Sequence, residues 1–506
     1  MVWGEPRPPV APLHSIVRRF SPETTREKSG SRSFTAPAPS PSHRLRENRR
    51  LGRQLNGAAS RGKSAVMPAD ASSSGARPLG AAHGAALVVA GMIGTGVFTT
   101  TGVLLGSLHS APMVLAVWVA AGVLALCGAA VYAELGAMMP RAGGEYVYLS
   151  RAFHPAVGFL SGWIGLLVGF AAPAAAGALA FARYVAAVFP AVPQRPVALG
   201  LIVVVTCAHL VDVRFGARLQ ATLTALVVAL IVVFIAGAVA AGHGNWANLG
   251  WIGEDPGAPA AGAGAVALGL VYVSYAYFGW NTAAYVAGEM RDPARTLPRA
   301  LVTGTLLVTA LYVGLNLVFL WAVPPHALVG QIEVAHVAAT ALFGPRGAVL
   351  LSSLVALALA GSVSAFMMSG PRIAVAMAED GLFFRALGRV GPRGAPTAAV
   401  ALQGALAFIA AATATFDPIL VYVGFTLTVS AGATVVAAFV LRVREPHADR
   451  PHRAMGWPLS GLLFVASAIF MTAFAIHDRP RESAAGLLTL LAGGVAYVFW
   501  RRRHRA

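Results

Sequence analysis

Two short runs in an otherwise hydrocarbon-like chain carry groups able to do chemistry. The first is Gly91-Met92-Ile93-Gly94-Thr95-Gly96-Val97-Phe98, which sets three glycines inside a long apolar segment. Each glycine costs a helix interior about 1 kcal/mol relative to alanine. In a bilayer the freed backbone groups have no water to turn to, so such a break persists only where it is buried in protein or lines a cavity. The second run is Ser274-Tyr275-Ala276-Tyr277-Phe278-Gly279-Trp280-Asn281-Thr282, polar and aromatic within another apolar segment that continues to Glu289. Past a break, a new helix presents free N–H groups and partial positive charge. The amides of Thr95 and Gly96, with the Thr95 hydroxyl, therefore suit a carboxylate. The unwound carbonyls of Met92 and Ile93, and of Tyr275, Ala276 and Phe278, suit an ammonium. One anionic and one cationic end together describe an α-amino acid zwitterion, and glycine at 94 and 96 admits close approach to the backbone. The competing readings are close helix packing through small residues and, for Tyr275, an aromatic core position instead of a gate.

The elements that position these runs follow from composition. Of 506 residues, 57% are hydrophobic and only 11% charged, against about 25% charged in soluble domains, so the chain reads as an all-α polytopic membrane protein. The net charge of +18 would point to nucleic acid in a soluble protein; here the basic bias of membrane loops accounts for it, and no nucleic-acid partner is expected. Residues 1–76 are rich in Pro, Ser and Arg without apolar period and read as a disordered basic tail. That tail suits anionic lipid or targeting, or precedes a true start at Met67. Cys127 and Cys207 fall in apolar segments and read as small buried thiols.

Segments of spanning length, about 20 apolar residues, fall near 82–106, 112–138, 154–182, 196–213, 218–242, 263–289, 298–322, 346–377, 395–413, 417–441, 457–476 and 484–500, giving twelve. With the N-terminus inside, 19 arginines fall on inner loops and ends and 5 on outer ones, which favours both termini in the cytoplasm. The glycine run lies in the first span and the polar run in the sixth, each opening a five-span half. If residues 77–242 and 263–441 are inverted repeats, the two interruptions meet near the midplane. Residues 457–500 then form two peripheral helices, and 501–506 a basic tail.

At these residues the chain resembles the amino acid–polyamine–organocation transporters, in the branch similar to L-type amino acid transporters. The glycine run is similar to that family's Gly-x-Ile-Gly-Ser-Gly-Ile-Phe pattern. Tyr132-Ala133-Glu134-Leu135-Gly136 with Pro140 through Tyr148, and Phe278-Gly279-Trp280-Asn281 with Glu289 through Pro293 and Leu297-Pro298, carry it further. A weaker match runs from Pro371-Arg372-Ile373 to Gly381. The resemblance covers residues 80 to about 450. It implies a LeuT-like fold of five plus five inverted repeats with discontinuous helices 1 and 6, and alternating access at the plasma membrane. It places Met92, Thr95, Gly96, Tyr275, Ala276 and Phe278 at the substrate, beside the Ile93 and Gly94 backbone already read there, with Tyr275 at an aromatic gate and Asn281 at a link from the sixth-span break to its surroundings. Three departures matter. Val227 aligns where some relatives use a lysine in place of a sodium ion, and the chain has no lysine beyond Lys63. Residues 183–196 lack the cysteine through which eukaryotic relatives join a glycoprotein, so no disulfide-linked heavy chain is expected. Phe278 replaces a glycine found in some relatives, which should narrow the pocket.

Other polar residues have two readings each. Glu134 and Glu289, near cytoplasmic ends of spans, either close an inner gate by pairing with arginines such as Arg141 and Arg291 or pin loop ends. His83 and His209 are proton carriers or satisfied histidines, and Tyr422 touches the pocket or only packs. No acidic residue maps to the pocket, which favours a neutral amino acid over a cationic one or a polyamine. Neither a metal-ligand cluster nor a phosphate-cradling loop is present, so no cofactor, metal or enzyme activity is expected. An amino acid sensor without net transport would need the same pocket.

Overall fold

The computed structural model describes residues 79–141, 143–211, 213–250, 262–391 and 395–503. The expected N-terminal tail and the question of Met67 lie outside them. Among the described residues the chain is helical throughout, with one isolated bridge joining Leu79 to Met290. Its helices are α1 (Ala81–Met92), α2 (Thr95–Leu108), α3 (Ala111–Met138), α4 (Glu145–Ala152), α5 (Pro155–Val188), α6 (Gln194–Val211), α7 (Val213–Ala241) and α8 (Ala263–Tyr277). They continue as α9 (Thr282–Tyr285), α10 (Pro293–Ala322), α11 (Val334–Glu379), α12 (Thr397–Thr413), α13 (Phe416–Arg444), α14 (Leu459–Asp478) and α15 (Pro480–Arg503).

Among the described residues, eight helices are long and apolar enough to cross a membrane, and nine if the bent pair α1–α2 is one span. Three shorter apolar helices, Gln194–Leu210, Ala263–Tyr277 and Thr397–Thr413, fall where further spans were expected. Local signals set several starts. Ser110 caps α3 by accepting from the Met113 amide at 3.3 Å, and His154 caps α5 by accepting from the Ala156 amide at 3.1 Å. Gly344, at φ 74°, breaks α11 near its start, so the segment expected at 346–377 begins just past that kink. The helix α15 runs on through Arg503, so Arg501 and Arg502 extend the last helix and do not begin a separate tail.

Close packing of α10 against α1 and α3 holds the first break in place. Small residues make the approach possible. A Cβ on Gly304 would lie 2.7 Å from Val88, one on Gly84 2.7 Å from Ala300, and one on Gly122 2.4 Å from Thr309. The outward faces stay apolar, with Val203, Val204, Val232, Val233, Leu488, Leu491 and Val495 exposed. Cys207 is exposed on the same face of α6 as Val203 and Val204, whereas Cys127 is half-buried. The expectation of two buried thiols is therefore wrong for Cys207: a helix apolar all round gives no sequence signal that separates a lipid-facing side from a core-facing one.

Candidate functional site

Both expected interruptions are present. The first span breaks between Met92 and Thr95, where Ile93 (φ −71°, ψ 96°) and Gly94 (φ −139°, ψ −147°) leave the helical region and the two halves bend by 41°. The helix α8, in the expected sixth span, ends after Tyr277, where Phe278 has ψ 138° and Gly279 φ 111°. Only glycine tolerates the Gly279 conformation readily. The two breaks touch: a Cβ on Gly279 would lie 2.3 Å from the Gly91 carbonyl oxygen. Past the first break no side chain caps the start of α2, so the first amides of that helix lack intrahelical partners.

Met92, Gly94, Thr95, Gly96, Tyr275, Ala276 and Phe278 line one cavity of about 10 Å³ with Pro173 and Phe366. Ile93 does not join them. It faces a separate space of about 10 Å³ lined by Val227, Thr224 and Ser362. The Thr95 and Tyr275 hydroxyls share a hydrogen bond of 2.7 Å across the first cavity. Gly96 also serves packing, since a Cβ there would meet that of Ala276 at 2.3 Å. Close approach at Gly96 is thus partly spent on α2 against α8. A space of this size holds about one water, so an amino acid needs Tyr275, Phe278 or Phe366 to move.

Two further residues, neither of them expected at the site from the sequence, shape the breaks. Tyr312 on α10 reaches both unwound ends, with its hydroxyl 2.5 Å from the Met92 carbonyl oxygen and 3.1 Å from that of Ala276. Glu145, 5% exposed, accepts from four elements: Tyr132 at 2.7 Å and Asn281 at 2.9 Å on one oxygen, Ser430 at 2.7 Å and Ser161 at 3.3 Å on the other. Gly143 (φ 120°) and Gly144 (φ 51°) turn the chain into α4 against Tyr285, whose carbonyl accepts from the Gly143 amide at 3.3 Å. The glycine pair therefore sets Glu145 beside the second break, and Asn281 does link that break to its surroundings. Burial raises the Glu145 carboxyl above its ordinary range, and the four donors pull it partly back. A signal existed, since Gly143-Gly144-Glu145 is a charged residue behind a forced turn; its partners, up to 285 residues away, were not visible. The π-helical turn Gly165–Ala171 in α5 lies near Phe278, whose ring is 3.8 Å from where a Gly169 Cβ would be.

The expected gate partners are different. Glu134, 1% exposed, pairs with Arg442 at 2.5 Å and Arg450 at 3.5 Å and accepts from the Ala454 amide at 2.7 Å. Arg141 instead reaches Asp380 at 2.7 Å, joined there by the Tyr146 hydroxyl at 2.5 Å. The reason is geometric: Glu134 lies within α3 facing the end of α13, while Arg141 lies past the α3 C-terminus. Glu289 is exposed at the end of a short 3-10 turn, with no ion pair to Arg291 among the described residues. His209 is buried, with Nε2 2.9 Å from the Ser364 hydroxyl, and His83 is exposed. Tyr422 bonds Thr489 on α15 at 2.9 Å, a packing contact away from the breaks.

Comparison with known proteins agrees with this geometry. Residues 80–496 match the model of the amino acid permease family. The large neutral amino acids transporter small subunit 2 of Rattus norvegicus is 31% identical over 460 residues, covering 88% of this chain and 86% of that protein. The b(0,+)-type amino acid transporter 1 of Mus musculus is 28% identical over 432 residues, covering 84% and 87%. The Asc-type amino acid transporter 1 of Mus musculus is 26% identical over 440 residues, covering 84% and 82%. An apolar helical bundle with two touching helix breaks, matched along nearly all of its described length, belongs to the amino acid permease family and is a transporter, not an enzyme.

Proposed function

We propose that the chain is a secondary transporter of neutral L-amino acids, working by alternating access in the plasma membrane with both termini cytoplasmic. In this reading twelve spans form two inverted five-helix repeats, 77–242 and 263–441, with α14 and α15 peripheral. The observation that carries it is the contact between the two broken spans. There the uncapped start of α2 offers amides and Thr95 to a carboxylate, and the Met92 and Ala276 carbonyls face an ammonium. Three similar proteins are named as amino acid transporters, and the one 31% identical is named for large neutral amino acids. No acidic side chain lines the break cavity, which supports a neutral cargo over a cationic one or a polyamine.

Tyr275, bonded to Thr95, closes the cavity on one side, and Asn281 ties the other break to Glu145. Phe278 occupies side-chain space near Gly169 and favours smaller cargo; Phe278→Gly should shift the preference toward larger amino acids. Val227 is apolar beside Ile93, which supports coupling without a lysine at that place. Partnership through a disulfide is not part of this reading, since residues 183–196 hold no cysteine.

The test is uptake and counterflow of radiolabelled L-leucine, L-alanine and L-arginine in proteoliposomes. Transport of a neutral amino acid with little L-arginine movement is the expected result. Ligand-induced thermal stabilisation without uptake or counterflow would make the protein a sensor instead.

A further inference from the structure

A cavity of about 270 Å³ lies beyond the second break at the end of the bundle that carries Glu289 and Arg372. Two small spaces and this cavity form a series. The space at Thr95 and Tyr275 shares Phe278 and Phe366 with a second space of about 20 Å³. That second space shares Tyr285 and Met368 with the large cavity. Phe170 touches both Tyr285 (ring centroids 6.0 Å apart) and Phe366 (6.3 Å), so thin aromatic partitions separate the compartments.

The large cavity is charged in a way the central one is not. Arg372 is half-buried in its wall and has no carboxylate within ion-pair distance among the described residues, although Glu289 and Glu379 line the same space. Of the other arginines at this end, Arg141 has Asp380, Arg151 has Glu445 and Arg442 has Glu134, while Arg291, Arg385 and Arg389, which have no ion pair among the described residues, are exposed, unlike Arg372. Glu289 and Glu379, both exposed, likewise have no ion pair among the described residues. His209, 5% exposed, lines the cavity while bonded to Ser364. A guanidinium left without a partner in a partly desolvated wall binds a carboxylate strongly, in a two-pronged geometry that a lysine does not reproduce. Acids facing the same space suit an ammonium. The volume lies just under the roughly 300–1,000 Å³ of drug-sized pockets, and an amino acid is smaller than those ligands.

We propose that this cavity is a second binding site for an α-amino acid, at which Arg372 holds the carboxylate and Glu289 or Glu379 the ammonium, on the path between the central site and the inner solution. The inference rests on the transport reading above. A substrate passing Tyr285 and Met368 exchanges backbone dipoles for side-chain charges, so affinity from the inner face depends on Arg372 and affinity from the outer face does not. The alternative role for the same residues is a gate in which Arg372 pairs with Glu289 on closure.

The two are separated by sided kinetics of L-leucine exchange in right-side-out and inside-out proteoliposomes. Loss of a charge-assisted pair corresponds to about a tenfold change in affinity. Arg372→Gln should raise the inner-face half-saturation concentration about tenfold and leave the outer-face value within about twofold, with Arg372→Lys recovering part of the loss. Glu289→Gln combined with Glu379→Gln should produce the same one-sided shift, which covers the case of an Arg372→Gln protein that does not reconstitute. Equal loss of turnover from both faces at unchanged half-saturation would overturn the second site and indicate the gate. Unchanged kinetics in the variants of a protein that does carry L-leucine would also overturn it. Failure of the wild type to carry any amino acid would instead refute the transport reading.

Discussion

At the residue scale the candidate site depends on few polar atoms. Thr95 offers a side-chain hydroxyl at the start of α2 that faces Tyr275. Thr95→Val keeps the shape and removes the hydrogen bond, so it should weaken amino acid binding about tenfold, as read by ligand-induced thermal shift; an unchanged shift would remove Thr95 from the carboxylate cradle. Glu145 gives a pH prediction whose sign is fixed by its raised carboxyl. The folded protein holds that proton more tightly than the unfolded chain, so this group contributes most below the ordinary carboxylate range, and its contribution is lost as pH rises through the raised value. Glu145→Gln keeps hydrogen-bonding atoms on both oxygens' sides, because the Ser161 and Ser430 hydroxyls can turn to accept. The thermal midpoint of wild type relative to Glu145→Gln should therefore fall from about pH 4.5 upward. A difference independent of pH would show that Glu145 does not titrate in that range. Thr95 and Tyr275 were legible in the sequence because a hydroxyl and a phenol inside apolar runs are out of place. Tyr312 was not, since one tyrosine in a long helix carries no mark of a carbonyl 220 residues away.

At the element scale the first break was legible from its glycines and the second from a polar, aromatic run inside an apolar segment, because helix cost and bilayer chemistry act on the local sequence. What each glycine does was only half legible. Gly279 is required by its positive φ and by the Gly91 carbonyl beside it. Gly279→Ala should cost more than about 1 kcal/mol and abolish uptake. Gly200→Ala, with nothing within 4 Å of the new methyl, should be neutral or stabilise by up to about 1 kcal/mol. Thermal midpoints of the two variants in one detergent give the comparison. The end of α3 is fastened by Glu134, which stands between Arg442 and Arg450. Glu134→Ala leaves two guanidiniums facing one another, and breaking a buried pair from one side costs about 3–5 kcal/mol. A large fall in midpoint is expected; a stable variant with altered exchange rate would restore the gating reading. That Glu134 meets Arg442 and not Arg141 depends on how α3 and α13 cross, which arginine counting along loops does not encode.

At the scale of the whole molecule, composition was enough to read the solvent as lipid, and glycine contacts were enough to explain how α1, α3 and α10 approach. The direction in which the path opens was not in the sequence, because it depends on which aromatic partitions touch. The Arg372 end holds the cavity of about 270 Å³, while the space at the breaks has only about 10 Å³. Val375 lines that cavity. A single cysteine there, in a chain with Cys127→Ser and Cys207→Ser, should react with a hydrophilic thiol reagent from the inner face only, and more slowly with L-leucine present. Reaction from the outer face would reverse the orientation proposed for the chain.

The Tyr312 hydroxyl stands within reach of two carbonyl oxygens and owns a single proton. One lone-pair cluster is therefore always undersupplied, whichever way the O–H points. A primary –NH3+ brings three hydrogens and can make good the shortfall while still reaching a third acceptor; an N,N-dimethylated head group brings one. Discrimination against alkylated nitrogen would then arise from a deficit of donors in the protein, not from steric exclusion, and N-methyl and N,N-dimethyl leucine should compete in graded order with the number of hydrogens they retain.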